Sequence, residues 1–169
     1  MSISLIVNSL PNSELLPPVI EGLELQTDTD FEIIHSRSAE SFSSIVDSAK
    51  HAYIVCLGAN CIPNINFIRA HRKIANQGSI SVSRRIYLDQ TISQHLLDNC
   101  LTPCRWNWFD LLKLRVSGHV NTIFPRAILS TEGPFASFGV LKADFGHSSD
   151  FQAISSRGTV LQLARLITK

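Results

Sequence analysis

Cys100 and Cys104, with His95 just upstream, have the right atoms to bind a metal. Structural zinc usually takes four ligands in tighter pairs. No second Cys/His pair stands close by, so two ordinary thiols are the alternative. His35, His51, His71, His119 and His147 are scattered, and none has a Ser or Cys at a known nucleophile spacing. No nucleophilic triad is expected. Gly58 is alone in its turn, and Gly133, Gly139 and Gly146 fit no dinucleotide pattern. Arg69, Arg72 and Lys73 form one basic group, and Arg84-Arg85 another. Fixed cations of this kind can neutralise a diphosphate. The trio could equally be a solvated face, and Arg84 could pair internally with Asp47 or Asp89. Asp144 and Asp150 are the candidates for a general base in the C-terminal half. Trp106, Trp108 and Phe109, with Phe135 and Phe138, suit either a sugar-stacking platform or a hydrophobic plug over the sheet.

The elements that must carry these groups belong to a chain of 169 residues, 44% hydrophobic and 17% charged, with a formal net charge of +1. That length fits one domain with a sizeable core. The charge balance offers no concentrated basic face for nucleic acid or an anionic membrane. No apolar run approaches the roughly 20 residues that span a bilayer, and no basic residue precedes the apolar Ile3 to Val7. Four cysteines are too few for a disulfide scaffold in a chain this long. These features lead to an expectation of a cytoplasmic protein without a membrane span.

Strand-like and helix-like segments alternate through the first half. Ile3 to Val7 reads as a buried strand. Leu15, Leu16, Val19, Ile20 and Leu23 recur at helical spacing, with a helix starting at about Pro17 or kinked there. Asp30 to Ile34 is a second strand and Ser38 to Ala49 a second helix. Ala52 to Leu57 is the strongest strand signal. Pro63-Asn64 opens a third helix that ends near Gly78, and Ile80 to Leu88 alternates as a strand. Ile92 to Cys100 reads as a helix, and Trp106 to Val116 as an amphipathic segment carrying Trp106, Phe109, Leu112 and Val116. Thr159 to Ile167 reads as a helix with Val160, Leu163, Ala164 and Ile167 inward. Such alternation predicts an α/β fold, a mostly parallel sheet flanked by helices, with ligands beyond the carboxyl ends of the strands.

Three blocks in order carry a family likeness. The first is Ser4-Leu5-Ile6-Val7-Asn8-Ser9-Leu10-Pro11-Asn12-Ser13-Glu14-Leu15-Leu16. The second is Leu25-Gln26-Thr27 with Asp30-Phe31-Glu32-Ile33-Ile34. The third is Ala52-Tyr53-Ile54-Val55-Cys56-Leu57-Gly58-Ala59-Asn60-Cys61-Ile62-Pro63, followed by Phe67 and His71. Over about residues 3–75 the chain resembles the family 2 inverting glycosyltransferases of the GT-A fold. The blocks fall on that family's opening strand and turn, its second strand, and the strand and turn bearing its metal-binding Asp-X-Asp motif. Further on, Lys142-Ala143-Asp144-Phe145 resembles a block before the acceptor loop, and Leu161 to Leu166 the helix after the catalytic acid pair. With no internal repeat and no linker in the sequence, a single domain over residues 1–169 is expected, and the resemblance gives it a nucleotide-binding half at 1–89 and an acceptor half at 90–169. It implies a nucleotide-sugar or glycan partner, with Asn8, Ser9, His35, Ser36, Gly58, Asn60 and Arg84 as binding candidates.

The chain departs from the family at each acidic position. The two acids of Asp-X-Asp align with Gly58 and Asn60, and His35-Ser36-Arg37-Ser38 replaces the acidic run after strand two. The catalytic Glu-Asp pair falls near Gly158-Thr159. The family's Mn²⁺ or Mg²⁺ would stabilise the leaving diphosphate as a Lewis acid, but its ligands are absent, so no cofactor and no catalytic residue is expected. The leading expectation is a degenerate glycosyltransferase-like domain that lacks metal-dependent transfer. Two alternatives stand beside it: an active metal-independent transferase using Arg or Lys on the diphosphate, and a non-catalytic module binding a protein partner or a second copy of itself.

Overall fold

The computed structural model describes residues 1–8, 17–36, 42–58, 60–75, 81–99, 103–120, 137–145 and 162–166. β1 (Ile3–Asn8), apart from Ser4 and its terminal Asn8, and β3 (Tyr53–Gly58) are apolar runs because both of their faces are covered. Ile3, Leu5, Val7, Tyr53, Val55 and Leu57 enter one core layer, and Ile6, Ile54 and Cys56 the other. β2 (Phe31–Ser36) pairs in parallel with the far side of β1, and its Ile33 and His35 are exposed. Parallel pairing of β1 with both neighbours sets Asn8 opposite Ser36 on one side and Gly58 on the other.

Helices cover both faces, as expected. α1 (Pro17–Glu24) carries its two prolines in the first turn of the described helix, where a missing N–H breaks no intrahelical bond. Leu15 and Leu16 lie outside the described residues. α2 (Phe42–Ser48) covers the opposite layer with Ile45 and Val46. α3 (Phe67–Ile74) starts later than the sequence suggests, because Cys61–Pro63 forms a buried strand, β4. α1 is pressed onto that strand: a Cβ on Gly22 would lie 2.9 Å from Pro63 Cδ and 3.0 Å from its carbonyl oxygen.

β5 (Ser81–Tyr87), β6 (Ser137–Leu141) and β7 (Gln162–Leu166) complete a sheet of seven described strands in the order β2-β1-β3-β6-β5-β7-β4. The sheet is mixed rather than mostly parallel. β6 runs antiparallel to β3 and β5, and β7 antiparallel to β5. Because β6 lies between β3 and β5, strands from the two expected halves of the chain interleave. Within the helix expected over Thr159 to Ile167, the described residues Gln162–Leu166 form β7 instead. Its Leu, Ala and Arg favour a helix, but ladders on β5 and β4 satisfy its backbone from both sides, and tertiary pairing overrides propensity.

The sheet must also curl. Laid flat, β4 would stand four strand spacings, about 19 Å, from β3. The three residue steps from Gly58 to Cys61 reach at most about 11 Å. The β5-β7-β4 half therefore bends back toward the tip of β3.

α4 (Gln90–Asn99), a short 3-10 turn (Pro103–Arg105), α5 (Trp108–Val116) and α6 (Lys142–Phe145) fill the remaining described chain. α5 is fixed at both ends. Asn107 and Asp110 form a reciprocal capping box. Beyond its last turn Gly118 adopts φ 84°, with Gly118 N donating to Arg115 O and His119 N to Leu114 O. That phase turns Leu111 inward, with Trp108 and Leu114 against the same core. Of the stripe the sequence suggested, Trp106 packs against that core, but Phe109 (69% exposed) and Val116 (82%) face outward, with Leu112 partly so. Among the described residues, no helix is long and apolar enough to cross a membrane.

Candidate functional site at the strand tips

In-register pairing gathers several of the sequence candidates on one row. Ser36, Asn8 and Gly58 end β2, β1 and β3 side by side at the carboxyl edge of the parallel strands. Leu57 and Ser83 both pair with Ser137, so Arg84 continues β5 on the same row as Gly58, two strands away. Asn8 and Arg84 are placed here by their backbones. Ser36 is buried, and the neighbouring His35 is exposed. Asn60 is buried just past the tip of β3, where its Oδ1 accepts a hydrogen bond from Cys61 Sγ at 3.7 Å. Ser9 lies outside the described residues.

Gly58 offers no side chain, and Asn60 offers a neutral amide whose Oδ1 accepts from Cys61 Sγ. Hard cations favour carboxylates. Among the described residues, no three His, Cys, Asp or Glu side chains converge on one point.

Asp144, a candidate base, is far from this row. β6 runs from Ser137, level with Leu57, to Leu141, level with Tyr53, and Asp144 follows on α6. The length of β3, about 16 Å, separates it from the tips. It belongs to the opposite edge, where Lys142 Nζ donates to the carbonyls of Asp47 (2.8 Å) and Ala49 (3.1 Å). That geometry removes Asp144 as a base beside the tips. Asp150, Gly158 and Thr159 lie outside the described residues.

The other candidates resolve into structural roles. Arg72 pairs with Asp28 and Asp30, each at 2.8 Å, and donates to the Asp30 carbonyl, clamping α3 to the start of β2. The Arg72 hydrogen bond, seconded by Ser2, holds the Asp30 carboxyl below its usual range. Arg69 and Lys73 are exposed on the same helix. Cys104 is buried in the core, whereas His95 is exposed on α4 and bonds to Asn99, so the two do not form a metal site. Cys100 lies outside the described residues. The aromatic group also divides. Phe138 enters the α2-side layer, Trp106 and Trp108 pack on the other, and Phe109 faces outward. Phe135 and His147 lie outside the described residues. Asp89, a suggested partner for Arg84, accepts from Ile92 N (2.8 Å) and meets His119 Nδ1 at 2.7 Å.

Sequence reasoning missed one buried cluster. His71, on α3, is fully buried, with its imidazole edge-on to Phe67 at 4.7 Å between ring centroids. Nδ1 lies 3.0 Å from Ser81 Oγ, and Nε2 3.3 Å from Ser137 Oγ. Tyr53 Oη meets Ser81 Oγ at 2.7 Å, and Ser137 bonds to Ser83. Gly139 makes the space: a Cβ there would collide with Tyr53 Oη, Ser81 Oγ and His71 Nδ1. The signal was present in the small residues Ser81-x-Ser83 and Ser137-x-Gly139. Alternation alone reads those serines as a solvent face, whereas here they line a socket for one ring. Burial pushes the His71 pKa down to about 3, so the ring is neutral.

Compared with known protein-family models and with curated proteins, the chain matches none.

Proposed function

We propose that the chain is a glycosyltransferase-like domain of GT-A type that holds a nucleotide-sugar at the strand tips without metal-dependent transfer. One observation carries this reading. The residues that the family resemblance assigns to the nucleotide site, Ser36, Asn8 and Gly58, are adjacent on one edge of three parallel strands. Open α/β sheets bind ligands at such edges. The lack of acidic side chains at Gly58 and Asn60 supports loss of the metal step, because a diphosphate leaving group then has no cation to stabilise it. A second reading has its own support. Arg84 lies on the same row, so a fixed guanidinium could replace the ion in a metal-independent transferase.

The test is a thermal-shift panel of UDP-, GDP- and dTDP-sugars with and without Mn²⁺. A ligand at about 100 times its dissociation constant adds about 2.7 kcal/mol of stability. The leading reading predicts a shift from one nucleotide class that Mn²⁺ leaves unchanged, without release of free sugar or nucleoside diphosphate. A metal-independent shift accompanied by turnover selects the Arg84 reading. A shift that requires Mn²⁺ refutes both.

A further inference from the structure

The His71 cluster joins one helix to three strands, and its hydrogen bonds have a direction. Ser81 Oγ donates to the Gly139 carbonyl at 3.2 Å. Having one proton, Ser81 must then accept from Tyr53 Oη and from His71 Nδ1. The network thus assigns the neutral tautomer with the proton on Nδ1. Nε2 is left to accept from Ser137, which in turn accepts from Ser83. A second ring proton would turn Nε2 into a donor, reverse the Ser137–Ser83 chain, and bury a cation with only hydroxyls around it.

We propose that His71 is an acid-sensitive latch: it holds α3 on the β5–β6 ladder while neutral and releases the helix when it gains a proton. This goes beyond the ligand reading and does not depend on it.

The groups facing the ring from each packed element are few. β3 supplies Tyr53, whose pKa is raised by burial, so it stays neutral throughout the acid range. β5 and β6 supply Ser81, Ser83, Ser137 and Gly139, none of which titrates in this range. β7 also packs beside α3 and carries Arg165, placed by its backbone. On α3 itself, Arg72 points to Asp28 and Asp30. Protonation of Asp30 also loosens the helix, but at lower pH, since its carboxyl lies below its usual range.

The sign follows from the two states. The closed state keeps the ring neutral down to about pH 3, whereas a solvated imidazole titrates near 6.5. Below pH 6.5 the opened state binds more protons, so opening gains as pH falls, until about pH 3. Between pH 7.5 and pH 5 the opening equilibrium of α3 rises about 30-fold.

The experiment is amide hydrogen exchange on the full chain at pH 7.5 and pH 5, corrected for intrinsic rates, with the His71 ring followed by NMR across the same range. The expected result is protection in α3 falling about 30-fold, with α3 less protected than β1 and β3 at both pH values, and a His71 ring that stays neutral in the native signal. His71→Gln, if it folds, abolishes the pH dependence. Native titration of His71 between pH 6 and 7 overturns the proposal. So does an unchanged α3, or an α3 as strongly protected as β1 and β3 at both pH values.

Discussion

Gly139 carries a demand that no neighbour can relax easily. The hydroxyls of Tyr53 and Ser81 and the His71 ring occupy the position of any Cβ there. Gly139→Ala must displace a hydrogen-bonded ring or bend β6, and overpacking of this kind costs about 1–3 kcal/mol. Urea unfolding should show the midpoint fall with an unchanged slope. A variant as stable as the parent would mean that the socket is slack. The same position shows the limit of residue-level reading. Gly139 was visible in the sequence only as a glycine that fitted no phosphate loop. Its role needed β6 to be known as the neighbour of β5, a pairing of residues 58 apart for Ser81 and Gly139.

At the scale of elements, the strong periodic signals were legible and the weak ones were decided by partners. β1 and β3 stand out because parallel strands covered on both faces leave no polar alternation. α5 is the instructive case. Its sequence carries two apolar stripes, Phe109/Leu112/Val116 and Trp108/Leu111/Leu114, and periodicity cannot choose between them. The capping box at Asn107 and the left-handed Gly118 fix the phase, and the second stripe goes in. Asn107→Ala removes the acceptor for Phe109 N and Asp110 N. It should cost about 1 kcal/mol by thermal or chemical unfolding, and Asn107→Asp should cost less. Equal loss from both substitutions would contradict the capping role. β7 was misread for a related reason, since a short helix-favouring segment becomes a strand when two open ladders receive it.

The whole molecule joins a parallel half, β2-β1-β3, to a mixed half that curls back toward its tips. This architecture explains why part of the candidate site was legible. Positions at the ends of parallel strands fall together automatically, so Asn8, Ser36 and Gly58 meet. Asp144 could not be judged in that way, because the antiparallel direction of β6, invisible locally, carries it to the opposite edge. The central claim is that the tips form a ligand site without a seat for a divalent ion. Its most direct measurement is a ¹⁵N correlation spectrum of the full chain titrated with UDP, and then separately with Mn²⁺. The account predicts UDP-dependent shifts at Asn8, Ser36, Gly58 and Asn60, and no selective paramagnetic broadening of those amides by Mn²⁺. Broadening centred on Gly58 and Asn60 would contradict it, as would UDP shifts confined to other edges of the sheet.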